Sequence, residues 1–246
     1  MTSSARESIY GHRARIGYTS PPLTTEIFPY EFYKIVPAGV TLVITTLAIV
    51  VRSKGEVDQS YDISMKAARE MAAAGVDIVV LGGVPINLEG LRQRGADDHR
   101  SRGRTEGQGL DQRFGTGESG QGARLQEGGG GAAVRVERDR PDRQLCTHFG
   151  CEVLGATGWG SAFNQIGRIP RNAAIEMGRK LMREHPDADS ILLPSPHWPT
   201  AEAIDVLERE FGVNVMTAHQ AIVWDALRRC GVNDRIAGFG RLFREF

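Results

Sequence analysis

Cysteine is scarce, with three in 246 residues, an odd number too small for a disulfide scaffold. Net charge is absent too. Thirty Lys+Arg balance thirty Asp+Glu, and the pI is near 7.0. This argues against a dedicated nucleic-acid binder or a strongly basic membrane-surface protein. The most apolar run, Val40 to Val51, is shorter than the ~20 residues of a membrane span, and Thr41, Thr45 and Thr46 interrupt it. The opening residues, MTSSARESIYGHRARIG, show no apolar signal-peptide core. No Cys/His pair has zinc-site spacing and no glycine-rich phosphate loop appears. What remains is a chain long enough for one large domain or two small ones, with ample core. The expectation is a cytoplasmic α/β enzyme with no metal, no cofactor, no nucleic-acid partner and no membrane partner.

Composition breaks sharply between Arg92 and Cys146. These 55 residues hold 12 of the 30 glycines and 11 arginines but no lysine, and 20% are apolar against 41% for the whole chain. Neither a 3.6 nor a 2.0 hydrophobic period is visible there. Three readings compete: a disordered Arg/Gly linker, a long lid, or a segment read in a shifted frame of a GC-rich gene. The block carries 11 arginines against 9 acidic residues, so the rest of the chain is slightly acidic, and overall neutrality is the sum of two unlike parts.

The flanks alternate strands and helices. Ala14 to Tyr18 reads as a buried strand, stopped by Pro21 and Pro22, with a helix starting near Glu26 behind a Thr cap. Val40 to Val50 is a β-branched run. Ile63, Ala67, Met71 and Ala74 recur at helical spacing over Ser60 to Ala74, and Gly75 supplies the stop. Val76 to Leu81 is a buried strand ending in Gly82-Gly83-Val84-Pro85. Later strands are expected at Cys151–Leu154, Ser190–Leu193 and Val213–Met216, with helices from Pro170 to Arg183, after Thr200, and from Thr217 to the stop at Gly231. Strand-turn-helix units of this size imply parallel sheets, with ligands at the carboxyl ends of strands and backbone N–H groups of the following helices free for carboxylate oxygens.

Four pieces carry a family resemblance: RIGYTSPP, DIVVLGGVPINLEG, DADSILLPSPHWPTAEAIDVLEREFGVNVMTAHQAIVWDAL and GFGRLF. In order and spacing they resemble the aspartate/glutamate racemase superfamily, in its arylmalonate decarboxylase and maleate cis-trans isomerase branch. The likeness covers almost the whole chain except the odd block and resumes near Thr147-His148-Phe149-Gly150. Relatives have strand and helix where the block stands, which favours the shifted-frame reading; the other two frames of the coding DNA test it. The resemblance implies two Rossmann-like α/β halves related by a pseudo-twofold, with the site in the cleft. Residues 1–95 and 215–246 would form the first half, including the C-terminal strand and helix, and 96–214 the second.

Racemases and isomerases resembling this chain use two cysteines, one on each half, to move protons on opposite faces of a carbon. Those positions fall here at Gly82 and Ser195, so a two-thiol mechanism cannot run. The decarboxylase branch has glycine at the first and cysteine at the second. Gly82 fits it, and Ser195 departs from it, since a hydroxyl is a far weaker proton donor than a thiol. His197, two residues on, is a second candidate for the proton. Ser195 and His197 are thus the catalytic candidates. Pro21, Pro22, Thr24, Gly82, Gly83, Val84, Pro196 and Thr217 are the substrate-binding candidates. Val84 offers only its backbone N–H, and Pro196 has none where the family has a glycine. The blander readings are a turn serine at 195, a rim histidine at 197, close backbone approach at Gly82 and Gly83, packing roles for Trp198 and Trp224, and buried apolar roles for Cys151 and Cys230.

The expected activity is a cofactor-independent lyase decarboxylating a small malonate-type acid. The alternatives are a maleate-isomerase or Asp/Glu/hydantoin-racemase-like isomerase, or a catalytically inactive carboxylate-binding relative.

Overall fold

The computed structural model describes residues 9–51, 53–82, 130–136 and 151–246. The first sheet is parallel, in the order β2-β1-β3, from β1 (Ala14–Pro22), β2 (Val40–Ile49) and β3 (Ile78–Leu81). Helix α1 (Ile27–Ile35) joins β1 to β2, and α2 (Lys54–Ala73) joins β2 to β3. Helix α2 starts earlier than its apolar spacing suggested, because Ser53 and Glu56 form a capping box. Gly75 follows it at φ 76, the left-handed stop read from the sequence.

The prolines do not end β1. Pairing with β2 runs to Ser20↔Thr46, slips at a bulge, and resumes at Pro22↔Ile49. A proline lacks the N–H a regular ladder needs, and a bulge is where a strand tolerates one. The ladder then continues through Leu23 N–H, which donates to Ile49 O at 3.0 Å. Opposite the slip, Ala48 takes φ 56.

The second sheet has the order β5-β4-β6-β7, from β4 (Gly130–Val136), β5 (Cys151–Gly158), β6 (Ser190–Leu193) and β7 (Asn214–Thr217). β6 and β7 are parallel, whereas β4 runs antiparallel to both β5 and β6. β4 lies inside the segment expected to contain no strand. Its sequence GGAAVRV has too few large apolar residues to show a period, and its placement rests on backbone pairing to both neighbours. The rest of the 92–146 block lies outside the described residues.

Helix α3 (Ala173–Glu184), α4 (Ala201–Phe211) and α5 (Ala218–Arg229) follow β5, β6 and β7, and α6 (Gly240–Glu245) ends the fold. One core gathers Met177, Leu181, Ile191, Leu193, Trp198, Ile204, Leu207 and Val215 around the second sheet. The other gathers Ile16, Tyr18, Phe28, Phe32, Val223, Leu227 and Phe243 around the first. The chain therefore crosses over at Thr217. The strand expected to return to the first half instead pairs with β6, Leu193 opposite Thr217. The helix after it does pack on the first core. The GFGRLF ending is tied down by α4, where Asp205 accepts Gly240 N–H at 2.7 Å and Glu208 accepts Arg241 N–H at 2.9 Å. Among the described residues no helix is long and apolar enough to cross a membrane.

Candidate active site

The carboxyl ends of β1 and β3 meet at Thr19 and Gly82. Gly82 N–H donates to Thr19 O at 2.9 Å and reaches Thr19 Oγ1 at 3.2 Å, and the Thr19 and Ser64 hydroxyls share a hydrogen bond of 2.8 Å. A Cβ at Gly82 would stand 2.3 Å from Thr19 O and 2.5 Å from the Tyr18 hydroxyl. The first contact is with backbone, which cannot swing away. A side chain at position 82, thiol or otherwise, would therefore require the backbone at Thr19 to shift. Pro21 and Pro22 are buried, whereas Thr24 is exposed. Ser20 Oγ donates to Thr25 Oγ1 at 2.6 Å and closes that loop. Gly83 and Val84 lie outside the described residues.

The turn after β6 carries Ser195, half-buried, Pro196, buried, and His197, 5% exposed. His197 Nε2 lies 3.4 Å from the Tyr18 hydroxyl, so the two sheets meet at this pair. Burial, reinforced by the neighbouring His219, lowers the His197 imidazole to about 3, and it is neutral at pH 7. Burial pushes the Tyr18 phenol well above its ordinary value, so it keeps its proton.

Tyr18 stacks on Phe28 at 3.8 Å between ring centroids, and Phe28 stacks on His219 at 4.4 Å. His219 Nδ1 is 3.1 Å from Glu31 Oε2. The same carboxylate accepts the N–H groups of Thr200 at 2.9 Å and Ala201 at 3.0 Å, on its other oxygen. Glu31 thus occupies the positive end of α4. Thr200 begins α4 as expected, but its hydroxyl faces Glu31 at 3.5 Å rather than capping its own helix. The start of α5 is also used. Thr217 accepts Gln220 N–H at 3.0 Å, and Gln220 Oε1 accepts Thr217 N–H at 3.3 Å. At each helix start, then, two N–H groups that the sequence reading offered to a ligand carboxylate are taken by the protein itself.

Sequence reasoning missed Tyr18, Phe28, Glu31 and His219. A signal for Glu31 existed, because it lies at i+3 from Phe28 and i−4 from Ile35, on the apolar face of a short helix. Trp198 is fully buried in the second core. The Cys230 thiol is pushed up to about 11, chiefly by burial, and has no thiolate character at neutral pH. Cys146 lies outside the described residues. Among those residues no group of three or more His, Cys, Asp or Glu is arranged to hold a metal ion.

Residues 144–243 match the arylmalonate decarboxylase family model. The match begins close to Thr147, where the resemblance resumes in the sequence. The chain is 34% identical over 97 residues to arylmalonate decarboxylase of Bordetella bronchiseptica, a stretch covering 39% of each protein. The match thus spans well under half the length of that relative. The whole fold also has solved counterparts. A liganded double mutant of arylmalonate decarboxylase aligns over 95% of this chain and 100% of its own, at 20% identity and a TM-score of 0.64. Maleate cis-trans isomerase of Nocardia farcinica, as a cysteine-to-serine mutant with a covalently bound succinylcysteine intermediate, aligns over 95% and 99%, at 18% identity and a TM-score of 0.64. These likenesses show that the chain shares the α/β fold of arylmalonate decarboxylase and maleate cis-trans isomerase.

Proposed function

We propose that this chain is a cofactor-independent lyase that decarboxylates a small malonate-type carboxylic acid. The observation that carries the reading is Gly82, where Thr19 O stands 2.3 Å from any Cβ. Racemisation and two-thiol isomerisation need an acid/base group on each face of the reacting carbon. A site with no side chain at 82 delivers its proton from one side, which is what protonation after loss of CO2 requires. The relatives matched by the C-terminal segment carry arylmalonate decarboxylase in their names, which agrees with this choice.

On this reading Ser195 and His197 serve the proton step from the turn after β6, and Pro21, Pro22, Thr24, Gly82, Pro196 and Thr217 surround the substrate; the candidates Gly83 and Val84 lie outside the described residues. His197 is neutral at pH 7, so its imidazolium would give a proton only in acid. The Ser195 hydroxyl is a weak acid, and turnover is expected to be slow. Ser195→Cys restores a thiol at that position and should raise CO2 release from a substituted malonate by about 100-fold. No gain in a folded variant would remove Ser195 from the proton step.

A further inference from the structure

The His197 imidazole has an atom without an assignment. His197 Nδ1 is buried and has no hydrogen-bond partner among the described residues. The other ring nitrogen, Nε2, faces the Tyr18 hydroxyl at 3.4 Å. Tyr18 is fully buried, keeps its phenolic proton, and is held by its stack on Phe28. A protonated phenol has one hydrogen to give, and a neutral imidazole accepts it on whichever nitrogen lacks a proton. With Nε2 accepting, the imidazole proton sits on Nδ1.

We propose that Tyr18 is a positioning residue that fixes His197 in the Nδ1–H tautomer, and that this N–H is the donor for a carboxylate oxygen of the substrate. The inference rests on the reading of the site as one for a small carboxylate. Several donors near it are already committed. The N–H groups of Thr200 and Ala201 go to Glu31, and Thr217 and Gln220 cap each other. Pro196 has no N–H at all. A neutral, buried donor suits an enediolate well. It stabilises charge as it develops, in a low dielectric, without giving up its proton.

The test is nitrogen NMR of the histidine-labelled full chain at pH 7, with malonate as the probe. The wild type should show His197 protonated on Nδ1, and malonate should shift that resonance. Tyr18→Phe, which removes only the hydroxyl, should lose the tautomer preference and bind malonate about tenfold more weakly. A wild-type proton on Nε2 overturns the proposal. So does an Nδ1 resonance that malonate leaves in place, or a Tyr18→Phe protein unchanged in both tautomer and affinity. Should that variant fail to fold, the two wild-type measurements decide alone. Malonate engaging Nδ1 without CO2 release from any substituted malonate would overturn the lyase reading while leaving this one standing.

Discussion

His197 and His219 sit just beyond β6 and β7, neighbouring strands that pair in parallel, and both are buried. Their surroundings differ. His219 faces a carboxylate, Glu31, that also takes two backbone N–H groups of α4. His197 faces a phenol and lies in a turn with the half-buried Ser195. One histidine belongs to the fastening that ties α1, α4 and α5 together. The other faces a neutral phenol in the turn that carries the candidate site; each keeps one buried ring nitrogen without a partner among the described residues, Nδ1 of His197 and Nε2 of His219. Residue type and burial alone do not separate the two roles; the partner does.

Breaking the fastening should cost most. Glu31→Ala leaves two helix N–H groups and His219 Nδ1 without their acceptor inside the protein, and should lower stability by about 4 kcal/mol in urea unfolding. Loss near zero would show that the cluster does not fasten the two cores. The next largest effect belongs to the other side of the comparison. Gly82→Ala forces a methyl against Thr19 O and the hydroxyl of Tyr18, and should cost about 2 kcal/mol. An unchanged midpoint would show that position 82 accepts a side chain, and would weaken the argument for one-sided proton delivery.

The third effect is a matter of pH. His197 is lowered to about 3 when folded, below the ordinary histidine value of about 6.5. The unfolded chain therefore binds the extra proton first as pH falls. His197 costs nothing above pH 6.5 and withdraws stability between about 6.5 and 3, with a limiting slope of about 1.4 kcal/mol per pH unit. The exposed Glu202 and the half-buried Asp234, whose carboxyls are held low chiefly by Arg171 and Arg13, also lose stability as pH falls, but from the lower carboxylate range. His197→Gln should flatten the upper part of this window in unfolding curves taken from pH 7 to 5. A curve as steep as wild type would place the imidazole in water.

Much of this fold was legible in the sequence because local signals agreed with tertiary demand. The run SILL is β6 as read, and Gly75 and Gly212 stop their helices in the left-handed conformation, at φ 76 and 68. Reading failed where one residue served a distant one. Pro21 and Pro22 look like strand breakers until β2 supplies a bulge opposite them. Asn214–Thr217 looks like part of the first half because its helix is, yet its backbone pairs with β6. β4 gave no pattern because its side chains are mostly small. In the site, Gly82, Ser195 and His197 stood out through the resemblance. Tyr18 read as one more core aromatic, since a hydroxyl that meets residue 197 is invisible from position 18.

The central claim is that a site with no side chain at Gly82 works from one face, and product analysis tests it most directly. The full-length protein and Ser195→Cys are each given phenylmalonate and, separately, maleate. The account predicts CO2 from phenylmalonate, faster in the variant, and no fumarate from maleate in either protein. Fumarate formed without CO2 release would contradict it.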